Sequence, residues 1–444
     1  MSVNCNRPDA DRPLVLHVIH SLEGGGTERV LVDLLRAFDA SLFRHAVVTQ
    51  RAAGALASAL PDHVPCVAMG ARGRSWATGL RLGLIARALR PAVLHARNTG
   101  CWNDALVAKM LTPGARLVLG FHGLESASCF GCGPRRSAKW GMHWGARFTS
   151  VSEAGRRQLQ AEAHIPAERI EVLENGVRLE RFLDIGVESR RRVREALLLP
   201  DSAFVVGTVG SLTAVKNQAL LISAVAQLTE ARVDVRLLIV GDGPLRESLA
   251  QQALEVGIAD RVCFTGWRED VPALLSAMDA YVCSSASEGM SNAVLEAMAA
   301  GLPIVTTDVG DHAVMIQNHR DGLIVKPQSA TALAQALRTL VFAPDLRRRL
   351  GAAALARARI YNFEQVVRRY ERYYGRLIAS TVRRRYSLGG LAAERIRFAK
   401  VPDGNIGPVA QRLEQGRRGR VFRFDQGGHD PDAVAADGRV TGCH

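Results

Sequence analysis

The chain has 444 residues, 48% of them hydrophobic and 23% charged, with a net charge of +14. That length implies two or three domains and that balance is ordinary for a folded chain. No apolar run approaches the ~18–20 residues needed to cross a bilayer, and MSVNCNRPDADRPLVLH at the N-terminus lacks the basic-then-apolar layout of a signal peptide. A membrane-spanning, collagenous, coiled-coil or wholly disordered protein is excluded, and a cytoplasmic location is expected.

The run PLVLHVIH (13–20) is short, apolar and rich in branched residues, which predicts a buried strand. Gly24, Gly25 and Gly26 form a turn, and VLVDLLRAF (30–38) has helical period. HAVVTQ (45–50), AVLHAR (92–97), RLVLGFH (116–122), RFTSVS (147–152) and RIEVLENGV (169–177) read as further strands, with helical stretches between most of them. Such alternation implies a parallel sheet covered on both faces. The pattern then restarts. AFVVGTVGS (203–211), VRLLIVGDGP (235–244), RVCFTGW (261–267), AYVCSS (280–285) and LPIVTTD (302–308) read as strands, and NQALLISAVAQLTE (217–230) and SATALAQALRTLVF (329–342) as helices. The expected organisation is an α/β unit over 1–178 and a second over 179–362, joined near ENGVRLERF (174–182). FEQVVRRYERYYGRLIAS (363–380) predicts an amphipathic helix that packs back on the first unit. Residues 381–444 show no period and are expected to be a poorly ordered basic tail. Within it, VAQRLEQ (409–415) resembles a string met when DNA around a tRNA gene is translated, so the tail is assigned no function.

Charge is uneven. Residues 1–178 hold 22 Lys/Arg against 14 Asp/Glu, residues 179–375 hold 22 against 22, and residues 376–444 hold 13 against 7. A basic face attracts lipid headgroups, phosphorylated ligands or nucleic acid. The segment ARGRSWATGLRLGLIARALR (71–90) is basic and partly amphipathic. Two readings of it stand open: a helix lying on an anionic membrane, or an ordinary helix with its arginines on the wet side. The basic stretches lack interleaved aromatics, so a nucleic-acid partner is not expected. Eight cysteines are too dilute for a disulfide scaffold, and Cys263 and Cys283 sit in apolar runs as small buried hydrophobes. Cys129-Phe-Gly-Cys132 has no second pair to complete a structural zinc site.

The densest chemistry lies in Ser287-Glu288-Gly289-Met290-Ser291-Asn292, between a strand and the helical run NAVLEAMAAG. Ser291 is placed to cap that helix and Gly301 to end it. A helix N-terminus offers free N–H groups and partial positive charge, which suit a phosphate. Gly289 allows close backbone approach. Glu288 in the loop and Glu296 in the helix flank the same anion site, where parallel sheets hold ligands.

SEGMSNAVLEAMAAGLPIVTTDVG (287–310) closely resembles the E-x7-E segment of the retaining GT-B glycosyltransferases of family 4. The resemblance continues, in the family's order, through GGGTERV, FHG, SVSEAGRRQL, VGTVGSLTAVKN, LLIVGDGPLRESL, VCFTGWREDVPALLSAMDAYV and DGLIVKP, and spans roughly 14–375. It implies two Rossmann-like domains facing a cleft. It implies that Glu288 contacts donor-sugar hydroxyls, Glu296 holds the ribose, and Gly289, Met290, Ser291 and Asn292 present N–H groups to the donor diphosphate. A carboxylate accepts two hydroxyls at once, which fits both acids. Lys216 falls at the family's basic position, where an ammonium neutralises the leaving diphosphate. His122 falls where a donor-sugar contact is made, and Gly25 and Gly26 face the diphosphate and acceptor. Trp267 and Arg268 are placed to bracket the nucleotide base, and Arg97 and Asn98 to face the acceptor. Asn175 and Gly176 match the family's hinge and read as turn-forming. The family often carries an arginine after the strand glycine; this chain has Ser211.

The implied reaction is metal-independent retaining transfer from a UDP- or GDP-sugar, with no further cofactor. The implied acceptor is a glycan or lipid-linked hydroxyl, used in surface polysaccharide or glycolipid synthesis. A GT-B sugar-nucleotide epimerase shares the fold and stands as an alternative, as does a basic nucleic-acid binder. An oxidoreductase would need a G-x-G-x-x-G loop, which the first turn is not.

Overall fold

The computed structural model describes residues 12–71, 75–122, 132–183, 186–387 and 421–423. The Cys129–Cys132 pairing and most of the expected tail lie outside the described residues. Two parallel sheets divide the chain. The first holds β1 (Leu14–Ile19), β2 (Arg44–Thr49), β3 (Cys66–Ala68), β4 (Val93–Ala96), β5 (Arg116–Phe121), β6 (Arg147–Ser150) and β7 (Ile170–Val172). The second holds β8 (Phe204–Val209), β9 (Val235–Val240), β10 (Val262–Gly266), β11 (Ala280–Cys283), β12 (Ile304–Thr307) and β13 (Leu323–Val325). A last strand, β14 (Val421–Arg423), pairs in parallel with β3 at the edge of the first sheet. The orders are β14-β3-β2-β1-β4-β5-β6-β7 and β10-β9-β8-β11-β12-β13. Each order reverses once, between β1 and β4 and between β8 and β11, and such switch points open a crevice at the strands' carboxyl ends.

The continuous apolar runs are explained by burial on both faces. Along β1, Leu14, Leu16 and Val18 enter one core while Val15 and Ile19 enter the opposite one, the two-residue period of a strand. Along β9, Leu237 and Ile239 face one core of the second sheet and Leu238 and Val240 the other. The Phe363–Ser387 helix returns to the first sheet, where Val366, Tyr370, Tyr374 and Leu377 pack among Val15, Ile19 and Leu31. The chain thus crosses between lobes twice. The crossings lie side by side, with the Val177 N–H donating to the Tyr361 carbonyl (2.9 Å) and the Phe363 N–H to the Val177 carbonyl (3.1 Å).

Several elements differ from expectation. β3 and β13 are three-residue strands too short to show a period, and the strand expected over 169–177 covers only Ile170–Val172. The final helix runs to Ser387, seven residues past its expected end at 380, and β14 sits inside the stretch expected to be poorly ordered. Cys283 is buried as expected, whereas Cys263 is half-buried. No helix among the described residues is long and apolar enough to cross a membrane.

Candidate functional site

A cavity of about 600 Å³ lies between the carboxyl ends of the two sheets. The first lobe contributes Gly24, Gly25, Gly26, Arg29, Asp33 and His122, and the second contributes Ser211, Lys216, Trp267, Arg268, Glu288, Met290, Ser291, Asn292 and Glu296. Of the residues expected to hold the donor, Gly289 is the one that does not line it; its carbonyl instead accepts the Asp311 N–H at 3.1 Å.

The acid loop follows β11 and leads into the Asn292–Ala299 helix. Glu288 is paired with the Lys216 ammonium and accepts a hydrogen bond from the Ser285 hydroxyl at 2.8 Å. The Lys216 loop is strapped to the acid loop: the Ser284 hydroxyl donates to the Lys216 carbonyl (3.1 Å) and the Ala286 N–H to the Val215 carbonyl (2.8 Å). Burial pulls the Lys216 pKa down, but the charge and hydrogen bond of Glu288 outweigh it, so the ammonium is held above the ordinary lysine value. The glycines are required by close approach. A Cβ on Gly241 (φ +134°) would lie 2.0 Å from the Gly210 carbonyl oxygen, beside the Lys216 loop, and one on Gly310 (φ +58°) 1.8 Å from that of Glu288.

Glu296 lies one turn into its helix, half-buried. Burial raises its pKa, Arg181 and Arg29 oppose that rise, and Asp33 adds to it. The neighbouring Asn292 Oδ1 is buried without a hydrogen-bond partner, and its Nδ2 is 3.6 Å from where a Cβ on Gly26 would sit. His122 closes β5; burial, then the Arg97 charge, push its pKa down to about 3, so the ring is neutral. Met290 is gripped by Asn175, whose side-chain amide donates to the Met290 carbonyl at 3.2 Å.

Some expected details differ. Ser291 occupies the N-cap position but makes no capping hydrogen bond with its side chain. Arg268 lines the cavity but is held by Asp270 through contacts of 2.6 and 2.7 Å. Arg97 does not face the cavity: it is wholly buried, 5.3 Å over the Tyr370 ring, with its Nη1 3.5 Å from His95.

Sequence reasoning missed Arg29, Asp33 and Arg181. Gly26, Arg29 and Asp33 recur at helical spacing along the Gly26–Ala37 helix, which was the available signal. Arg29 also reaches across the cleft, 5.2 Å over the Trp267 ring. A second bridge joins the lobes at Asp311, whose two carboxylate oxygens accept the N–H groups of Glu153 and Ala154 at 2.7 Å each. Those groups open the Glu153–Ala163 helix, so an acid of one lobe caps a helix of the other. Chemically, the cleft offers Glu288, Glu296 and a neutral imidazole for hydroxyl groups, and an ammonium beside a helix N-terminus for an anion.

Known proteins share parts of this sequence and its fold. The family described as Glycosyltransferase Family 4 matches residues 24–181, and that described as Glycosyl transferases group 1 matches residues 189–357. The lipopolysaccharide core biosynthesis glycosyltransferase LpsD of Rhizobium meliloti is 38% identical over 159 residues, 36% of this chain and 45% of that protein. The UDP-Gal:alpha-D-GlcNAc-diphosphoundecaprenol alpha-1,3-galactosyltransferase of Escherichia coli is 31% identical over 180 residues, 40% of this chain and 46% of that protein. The chain spans about half the length of the curated relatives it matches. The Anabaena protein HepE, solved with UDP and glucose, superposes with a TM-score of 0.74 at 22% identity, covering 82% of this chain and 100% of that one. Two matched halves in tandem, on this shared fold, make the chain a member of the GT-B glycosyltransferases of group 1.

Proposed function

We propose that the protein transfers a hexosyl group, with retention of configuration, from a UDP- or GDP-sugar to a glycan or lipid-linked hydroxyl in surface polysaccharide or glycolipid synthesis. The observation that carries this reading is the convergence of Glu288, Lys216, Glu296 and His122 on one interlobe cleft. Glu288 takes donor-sugar hydroxyls and Glu296 the ribose. Lys216 and the N–H groups that start the Asn292–Ala299 helix take the diphosphate without a metal. Neutral His122 hydrogen-bonds the sugar near its reacting carbon. The bond from the anomeric carbon to the phosphate oxygen breaks, the bond to the acceptor oxygen forms on the same face, and the acceptor proton passes to the leaving phosphate oxygen. Closed lobes exclude water from the cationic sugar. The names of LpsD and the E. coli galactosyltransferase support a surface-glycan acceptor.

The test is a panel of UDP- and GDP-sugars with nucleotide release followed in the presence of candidate acceptors. Release coupled to a new α-glycoside from an α-linked donor is expected. Release without a glycoside would point to an epimerase, and no binding of any donor would end the reading.

We also propose that the enzyme works on an anionic membrane surface. On the Trp76–Leu89 helix, Trp76, Leu80 and Leu84 stand exposed at four-residue spacing, on a segment (71–90) without an acidic residue. Sedimentation with phosphatidylglycerol vesicles should exceed that with phosphatidylcholine, and Trp76→Ser with Leu80→Ser should abolish the difference.

A further inference from the structure

Behind the acid loop, away from the cavity, runs a chain of buried polar side chains that the proposed reaction leaves unused. The Ser285 hydroxyl donates its one proton to Glu288 at 2.8 Å, and its oxygen lies 3.4 Å from the Cys283 sulfur. That sulfur lies 3.8 Å from His312 Nε2. The other ring nitrogen, Nδ1, is 2.9 Å from the Thr307 carbonyl and 2.7 Å from the Thr306 hydroxyl oxygen. A carbonyl can only accept, so Nδ1 carries a proton. The Thr306 hydroxyl is itself directed at the Thr307 carbonyl (3.3 Å), which leaves its oxygen free to accept from Nδ1 as well. Cys283, Ser285, Thr306, Thr307 and His312 are each at most 5% exposed.

We propose that His312 and Cys283 are positioning residues for the donor acid: a buried imidazolium, hydrogen-bonded through Cys283 and Ser285, holds the Glu288 carboxylate in its sugar-binding orientation. The inference rests on the reading of Glu288 given above. With both ring nitrogens protonated, every link has a donor and an acceptor: Nδ1–H to the Thr307 carbonyl, Nε2–H to the sulfur, the Cys283 thiol to the Ser285 oxygen, and the Ser285 hydroxyl to Glu288. A neutral ring would leave its Nε2 lone pair facing the sulfur. The thiol proton would then turn toward that nitrogen and away from Ser285.

The surrounding charges agree. Burial pulls the His312 pKa down, but the Cys283 sulfur, the Thr307 carbonyl and Glu288 outweigh it and lift it to about 9. Burial pushes the Cys283 thiol up, and His312 more than reverses this. The other ionisable groups facing the pair are Glu288 and Lys216 from the two loops, and Tyr281 on the same strand, its phenol kept neutral by burial. Two cations, His312 through the relay and Lys216 by direct pairing, therefore flank the Glu288 carboxylate.

Two measurements test this. In ¹⁵N-histidine-labelled protein, the ring resonances lost in His312→Gln should show both nitrogens protonated at neutral pH. Transfer by the wild type should decline as pH rises through about 9, a limb that His312→Gln lacks, while the later decline caused by Lys216 remains. Cys283→Ala should slow transfer about fivefold, the rate equivalent of one hydrogen bond, and Cys283→Ser, which restores donor and acceptor, should recover most of it. An unprotonated His312 nitrogen at neutral pH overturns the proposal, and so does an unchanged rate in folded Cys283→Ala. If the wild type turns over no donor, the glycosyl-transfer reading fails alone, and the ring measurement still decides the charge on His312.

Discussion

Lys216 has two claimants. Before substrate arrives its ammonium is held by Glu288, and on the proposed reading it must answer to a diphosphate. Removing either member strips charge from the site at the moment the leaving group forms. Glu288→Ala and Lys216→Ala should each lower turnover at least about tenfold, that is, by at least about 1.4 kcal/mol of transition-state stabilisation; near-normal rates in steady-state assays would mean the site is misplaced. Arg29→Ala should act differently. It removes the cation over Trp267 and one of the two arginines that steady Glu296, so donor KM should rise several-fold with little change in kcat. The two acids and the lysine were readable because each sits in a local motif at fixed distance from a strand end. Arg29, Asp33 and Arg181 were not, because only the docking of two lobes brings them to Glu296. The Cys283–His312 contact was hidden for a related reason: its partners sit on β11 and at the start of the short His312–Met315 helix after β12, and strand pairing, rather than chain proximity, brings them together.

The strands of the first lobe carry an unusual core. His17 on β1, His45 on β2 and His95 on β4 are all buried, with His17 Nε2 3.1 Å from His45 Nδ1 and His95 Nδ1 2.9 Å from the Tyr374 hydroxyl. Burial depresses all three, His45 to about 3, and the Arg97 charge adds to the effect. The unfolded chain therefore binds more protons below the ordinary 6.5 than the folded chain does. Their stabilising effect is complete above pH 6.5 and is lost as pH falls, by up to about 1.4 kcal/mol per pH unit for each ring. His312, raised to about 9, contributes in the opposite sense, its share fading as pH rises through that value. Thermal melts should thus give a Tm that peaks near 6.5, dropping on acidification and declining toward 9; a rise on acidification would contradict the neutral assignment. At the loop level, Gly241→Ala should cost about 1–3 kcal/mol in denaturant titration, since its φ of +134° and the Gly210 carbonyl leave no room for a methyl group. Long periodic elements such as the Gln218–Glu230 helix were legible from their own residues, whereas β3, with only Cys66-Val67-Ala68, is a strand because β2 lies beside it.

At the scale of the whole molecule, Arg29 on Trp267 and Asp311 on the Glu153–Ala163 helix help tie the lobes besides the crossing chains. Asp311→Ala should cost about 0.5–2 kcal/mol, as for a lost helix cap, and should also increase the radius of gyration in solution scattering as the lobes part. Asp311→Asn keeps one acceptor of two and should fall between. Ending the chain after Ser387 should preserve transfer, because among the described residues the cleft is lined by none beyond Phe363, but the uncovered edge of β3 should make the truncated protein more prone to self-association. The repeat of two α/β units was visible in the alternation of runs, while their mutual placement depended on single side chains that carry no periodic signature. The Lys216–Glu288 pair also bears on how the catalytic cycle ends. On the proposed reading, once the sugar has moved on, the carboxylate loses its hydroxyl guests and is free to reclaim the ammonium from the spent nucleotide. Competition of this kind hastens product egress, so an inhibitor built on the nucleotide alone should dwell briefly, and one that also satisfies the acid should dwell long.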